Sequence, residues 1–271
     1  MAKVKKVTTV TTITEEIISN EKTHIIAILD TSGSMSSIIK ESINAFNGFL
    51  KTQRELSDEC TITINLFDDK FETIIEDKNV KEISDITDKQ WIPRGLTGLY
   101  DAIGKSINNA KSGFAKLEDK PAKVLVCIVT DGQENSSKEY NSETIKKLIK
   151  NSEEENWNFM YLASGQDAFA VGSQFGMSLG NTYSFMANDV QAFHGAMGQM
   201  SASAVNYRSM SSKDLNFKAK SKNLIDDTPD IKTTTNTVTT SGSVDVSGIL
   251  NVDGNTTITQ ADVFSTPTKS K

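Results

Sequence analysis

Five oxygen-bearing side chains stand out by type and spacing. Asp30, Ser32 and Ser34 occupy alternate positions in the run Asp30-Thr31-Ser32-Gly33-Ser34. Thr97 lies in the stretch Pro93-Arg94-Gly95-Leu96-Thr97-Gly98, and Asp131 follows the apolar run Val124-Leu125-Val126-Cys127-Ile128-Val129-Thr130. None of the five offers nitrogen or sulfur. An all-oxygen set suits a hard divalent cation, Mg²⁺ first and then Mn²⁺ or Ca²⁺. Mg²⁺ demands near-octahedral oxygens at roughly 2.0–2.1 Å and keeps several waters, which short side chains on tight turns can satisfy. Ser32, Ser34 and Thr97 are neutral, so only Asp30 and Asp131 carry charge. Two carboxylates balance one divalent ion, and a coordination position left open would attract an anionic oxygen from outside. The plain alternative for the first run is a Ser/Gly turn with Ser32 or Ser34 capping a helix.

The elements around these residues predict how they meet. His24-Ile25-Ile26-Ala27-Ile28-Leu29 is continuously apolar, as expected of a strand buried on both faces of a parallel sheet. Asp30 therefore sits where that strand stops and a helix starts, the edge at which open α/β sheets bind ligands. Ile39, Ile43, Phe46 and Leu50 follow at helical spacing. Cys60–Phe67 alternates Ile62, Ile64 and Leu66 with Thr61, Thr63 and Asn65, predicting a strand paired as a hairpin with Phe71–Ile75. Leu99, Ile103, Ile107 and Ala110 mark a helix after Thr97, and Ile145, Leu148 and Ile149 another after Asp131. Trp157–Ala163 reads as a buried strand. Val190, Phe193, Met197, Met200, Ala204 and Tyr207 mark a long helix capped by Asn188 or Asp189. The expected architecture is α/β: a doubly wound, mostly parallel sheet flanked by helices.

The pattern Asp-x-Ser-x-Ser, then a loop Thr, then an Asp after a later strand resembles the von Willebrand factor type A (vWA) domain and its metal-ion-dependent adhesion site. Asp30, Ser32, Ser34, Thr97 and Asp131 match its five positions in order, and the resemblance covers roughly residues 20–212. The segment from Gly165 through Tyr207 resembles a bacterial or phage subset of that family. The resemblance implies that the three hydroxyls hold the metal and that the Asp pair binds it directly or through water. It also implies that a Glu or Asp of a partner protein completes the shell.

The 271 residues carry a net charge of −6, with 37% hydrophobic and 24% charged residues and a mean hydropathy of −0.34, the composition of a soluble globular protein. Seven Lys and seven Asp cancel between Lys213 and Lys271. The negative charge is thus concentrated in the central region, which disfavours a nucleic-acid footprint. Arg occurs only at Arg54, Arg94 and Arg208, so bidentate phosphate clamps are scarce. No apolar run is long enough to span a membrane. The start Met1-Ala2-Lys3-Val4-Lys5-Lys6 lacks an apolar segment after it and predicts no signal peptide. Cys60 and Cys127 fall inside apolar runs and read as buried small hydrophobes. A cytoplasmic location is expected, or a virion or assembly if the chain is phage-encoded.

The expected organisation is an N-terminal arm (1–22), the vWA-like domain (23–212), a linker (213–235) and a Thr/Gly-rich tail (236–271). Val4, Val7, Val10 and Ile13 recur every third residue, a spacing for an extended arm. In the tail, Val238, Val244, Leu250 and Thr256 recur every six residues, with Gly242, Gly248 and Gly254 closing units. That rhythm suits a rung of a β-helix or fibre and looks like repeats in phage attachment proteins. A few rungs cannot bury a core alone, so the tail either orders by homo-oligomerisation or remains a disordered Thr/Ser/Gly segment.

The expected function is a non-enzymatic, metal-dependent protein–protein interaction module, as a component of a phage virion or another multi-subunit assembly. A purely structural virion protein held by its arms, with a vestigial metal site, is the alternative. A Mg²⁺-dependent hydrolase ranks third. Aspartyl phosphatases place a second Asp two residues after the first, where this chain has Ser32. No phosphate loop or Gly-x-Ser-x-Gly elbow occurs. His24 and His194 have no identifiable nucleophile partner in the sequence.

Overall fold

The structure, a computed structural model, describes residues 21–164, 168–177, 179–186 and 189–215. The chain divides into two units, Met1–Asp227 and Thr228–Lys271. Residues 1–20 of the N-terminal arm (1–22), most of the linker and the hexad tail lie outside the described residues.

The first unit is built on six strands in the order β3-β2-β1-β4-β5-β6. They are β1 (Thr23–Asp30), β2 (Cys60–Phe67), β3 (Phe71–Asn79), β4 (Lys123–Thr130), β5 (Trp157–Ser164) and β6 (Thr182–Phe185). All neighbours run parallel except β2 and β3, the expected hairpin. Four helices connect them, α1 (Ile39–Glu55), α2 (Leu99–Phe114), α3 (Ser142–Glu153) and α4 (Ala168–Gln174), and α5 (Val190–Ser209) follows β6.

Strand alternation divides the core into two layers. Ile25, Ala27 and Leu29 join Phe46, Phe49, Leu50, Phe193, Met197 and Met200 on the α1/α5 side. Ile26 and Ile28 join Leu99, Ile103, Ile107, Ile145 and Ile149 on the α2/α3 side. β1 and β4 are buried at every position, which is why neither shows a period of two in sequence. β3 forms one edge of the sheet, half exposed and rich in Glu, Asp and Lys, features that discourage pairing with other chains. Its register against β2 shifts around Ile64, and Asp77 in this irregular stretch adopts a positive φ of 42°.

Two elements were not expected from the sequence. α4 is only seven residues long and β6 only four, too short for a period to register. Asp189 is the residue that caps α5, accepting from the Ala192 N–H at 2.9 Å. Cys60 and Cys127 are both buried and free.

The order of strands places the switch in winding direction between β1 and β4. The chain leaves β1 into α1 on one face, and the neighbouring β4 is entered from α2 on the other. Loops diverge at the carboxyl ends of these two strands and leave a crevice there.

Candidate metal centre

All five sequence-predicted oxygens come together at that crevice. Asp30 is the last residue of β1 and has no exposed surface. Its Oδ1 accepts from the Ser32 N–H at 2.6 Å, and its Oδ2 accepts from the Thr130 hydroxyl at the end of β4. The carboxylate is thereby locked across the two central strands. Ser32 and Ser34 Oγ lie 3.0 Å apart, and Ser34 Oγ donates to Asp131 Oδ1 at 2.6 Å. Ser32 occupies the N-cap of a short 3₁₀ turn, Gly33–Ser37, but its side chain makes no capping bond. The hydroxyl faces the cluster, which sets aside the simple capping reading.

Thr97 is located through Gly132. A Cβ built on Gly132 would lie 2.9 Å from Thr97 Oγ1, 3.3 Å from Ser34 Oγ and 3.6 Å from Ser32 Oγ. Three hydroxyls from two segments of chain, the serine turn and the Thr97 loop, thus ring one point that only a missing side chain leaves free. Gly132 immediately follows Asp131, so the last carboxylate and the clearance arrive together.

The loops are strapped from outside the cluster. Trp91, fully buried, donates its indole N–H to the Asp30 carbonyl at 2.7 Å. The Gly33 N–H reaches the Gly95 carbonyl at 3.2 Å, tying the serine turn to the Thr97 loop. Gly95 has φ of +68°, a conformation that a side chain would strain. The Thr97 N–H donates to Asn135 Oδ1 at 2.9 Å, and the Thr97 carbonyl accepts from the Asn135 N–H at 3.0 Å. Glu134 accepts from the Tyr100 N–H at the start of α2 and from the Ser136 and Ser137 N–H groups. Asp101, in the first turn of α2, accepts the N–H groups of Lys138, Glu139 and Tyr140. The Thr97 and Asp131 loops are consequently one rigid body, the condition for holding ligands to within fractions of an ångström.

The electrostatics of the cluster lack a positive charge. Burial pushes the Asp30 carboxyl up to about 6, against the opposing hydrogen bonds from Thr130 and Ser32 and with help from the nearby Asp131 charge. Burial also raises Asp131, opposed by its bond from Ser34. Among the described residues no Lys, Arg or His forms an ion pair with either carboxylate. Among the same residues no group of three His, Cys, Asp or Glu forms a metal-type cluster. The donors here are two carboxylates with three hydroxyls, a hard set of low charge. These residues fit a hard divalent cation: buried anionic oxygen without a counter-charge, neutral oxygens beside it, and a gap kept by Gly132.

Thr130, Trp91, Gly132, Asn135 and Glu134 were not singled out in the sequence. Thr130 and Gly132 flank Asp131 and could have been read with it. The other three act through long-range contacts that carry no local pattern. Of the histidines, His24 is buried on β1 with Nδ1 2.7 Å from Thr61 Oγ1, and His194 on α5 meets Glu41 at 3.2 Å; these bonds lead away from the cluster.

No family model matches the chain, and no curated protein matches it. Solved structures do. A von Willebrand factor type A protein from Catenulispora acidiphila is similar at 14% identity, covering 67% of this chain and 42% of that one, with a TM-score of 0.48. The manganese-loaded TRAP protein of Plasmodium vivax is similar at 18% identity, covering 64% of this chain and 72% of that one, with a TM-score of 0.47. The pilus adhesin SpaC from Lactobacillus rhamnosus GG is similar at 11% identity, covering 68% of this chain and 30% of that one, with a TM-score of 0.50. The chain spans less than half the length of the first and third of these. A six-stranded sheet of order β3-β2-β1-β4-β5-β6, antiparallel only at β3 and wound by helices on both faces, gives this chain a doubly wound α/β fold, similar to that of the pilus adhesin.

Proposed function

We propose that the chain is a metal-dependent protein-interaction module. Asp30, Ser32, Ser34, Thr97 and Asp131 would hold Mg²⁺, with Mn²⁺ or Ca²⁺ as substitutes. The bound ion would supply a positive charge with a coordination position open to a carboxylate of a partner protein. The observation that carries this reading is the ring of three hydroxyls around the Gly132 clearance, beside the buried Asp30 and the half-buried Asp131, which have no ion-pair partner among the described residues. Each residue has a task. Ser32, Ser34 and Thr97 offer neutral oxygens. Asp30, held by Thr130, supplies fixed negative charge from the sheet. Asp131, half-buried and bonded to Ser34, is the carboxylate free to rearrange as the shell fills.

The role fits a non-enzymatic module. The cluster contains no histidine, lysine or thiol to act as base or nucleophile, and three of its five donors are neutral hydroxyls, two of them bonded within the cluster. The finer proposal places the domain (23–212) in a phage particle or comparable assembly, attached by the 1–22 arm and the 236–271 tail. Its support is the six-residue rhythm of the tail.

Titration calorimetry with MgCl₂ tests the site. The wild type should bind one ion, and Asp131→Ala should abolish binding while leaving the circular dichroism spectrum unchanged. Equal heats from both proteins would overturn the site. A pulldown in Mg²⁺ against EDTA then asks whether capture of a partner needs the ion.

A further inference from the structure

Among the described residues, four large apolar side chains are markedly exposed: Ile92, Leu96, Phe169 and Met186. Their placement is one-sided. Ile92 and Leu96 lie in the segment that crosses the end of β1, where Trp91 bonds the Asp30 carbonyl and the Arg94 N–H bonds the Thr31 carbonyl. Phe169 is the second residue of α4, on the connection that leaves β5, and Met186 directly follows the last residue of β6. All four therefore sit on connections at the carboxyl edge of the sheet, the edge that carries the hydroxyl–carboxylate cluster. None is at the opposite edge. Single exposed apolar residues are ordinary, but collecting all of them on one edge marks a contact surface.

We infer that this edge binds a protein segment in which an Asp or Glu is flanked by large apolar side chains, the acid reaching the metal centre and the apolar groups resting on Leu96 and Met186. The inference rests on the metal-centre reading above and adds to it the chemistry of the partner. Leu96 is adjacent to Thr97 and so lies at the rim of the cluster. Met186 directly follows β6, two strands from the β4 that leads to Asp131, and strands are spaced about 4.8 Å apart, which puts it about 10 Å from β4 along the edge. An extended peptide advances about 3.3 Å per residue, so an apolar residue some three positions from the acid would reach it. Leu96 is 57% exposed and Met186 73% exposed, so each has apolar area to lose on contact. A carboxylate alone would bind any acidic surface; the apolar rim restricts which acid is accepted.

A displayed library of random peptides, panned on the full chain in MgCl₂ and eluted with EDTA, tests this. Enriched sequences should carry one Asp or Glu with Leu, Ile, Phe or Met two to four positions away. The affinity of an enriched peptide should fall at least tenfold for Leu96→Ser with Met186→Ser, while the heat of Mg²⁺ binding stays unchanged. Both side chains are exposed, so the fold tolerates the change. Enrichment of acidic peptides with no apolar preference, or full affinity in the double variant, would overturn the inference and leave the metal centre standing. Absence of any Mg²⁺ heat in the wild type would instead overturn the metal centre, and this inference with it.

Discussion

At the amino edge of the sheet, the Arg208 guanidinium of α5 meets both Asp58 carboxylate oxygens at 2.8 and 2.9 Å and the Gln53 carbonyl at 2.8 Å. Beside it, buried Lys123 at the start of β4 donates to the Arg208 and Met210 carbonyls, both at 2.6 Å, and Tyr207 Oη donates to the Asn156 carbonyl at 2.6 Å. At the carboxyl edge, Asp30 and Asp131 have hydroxyls and a backbone N–H for company but no cation. Both clusters are polar; the first is buried, while the second is buried at Asp30, Ser32 and Thr97 and opens to the surface at Ser34. One contains its own counter-charge and closes on itself; the other is short of positive charge and has a gap. The closed cluster ties the end of α5 to the sheet, and the open one is left for an ion and a partner. A fold of this kind separates anchoring from binding by placing them at opposite ends of the same strands.

That contrast can be broken from either end. The largest effect is expected at the closed edge. Arg208→Ala leaves Asp58 buried and unpaired, and should cost about 3–5 kcal/mol of stability in urea titrations without changing the stoichiometry of Mg²⁺ binding. If stability is unaffected, the amino edge is not an anchor.

The open edge should show its missing charge as a pH dependence. Burial raises Asp30 from 3.8 to about 6 in the folded chain, so the folded state holds the proton more tightly than the unfolded one. Its stabilising contribution is complete below pH 3.8 and is lost as pH rises through about 6. In metal-free buffer at pH 7 this amounts to about 3 kcal/mol. Measured between pH 4 and 7, wild type should lose stability relative to Asp30→Asn, and parallel curves for the two would remove the desolvated carboxylate from the account.

Metal should offset that loss. At an Mg²⁺ concentration one hundred times the dissociation constant, a ligand of the native state adds about 2.7 kcal/mol. Gly132→Ala should lose this gain, because its Cβ would lie 2.9 Å from Thr97 Oγ1 and displace it, and its metal-free stability should fall below that of wild type as the crowded loop shifts. An Mg²⁺-dependent shift of melting temperature equal in both proteins would show that the ion binds elsewhere.

The smallest effect belongs to neither cluster. His24 bonding holds the Asp77 carboxyl down at about 2, so its contribution is present above the ordinary carboxylate value and fades as pH falls toward 2. The group is well exposed, and solvent screening should keep Asp77→Asn within about 1 kcal/mol at pH 7. A larger loss would make the β2–β3 irregularity a third stabilising centre.

The central strands, the helices α1, α2, α3 and α5, and the residues of the candidate cluster were legible in the local pattern of residues. Ile25 to Leu29 and Val124 to Val129 are long enough apolar runs to name themselves, and hydroxyls at alternate positions beyond a buried strand have a direct chemical meaning. Tertiary structure decided the rest. Residues as far apart as Asp30, Thr97 and Asp131 meet only because β1 and β4 are neighbours in the sheet, and that pairing leaves no mark in either strand. The lock of Thr130 on Asp30, the indole bond of Trp91, the strapping by Glu134 and Asp101, and the clearance at Gly132 are likewise contacts across the fold. Local pattern reports what a residue's near neighbours need; which distant segment supplies its partner is settled when the two faces of the sheet are buried together.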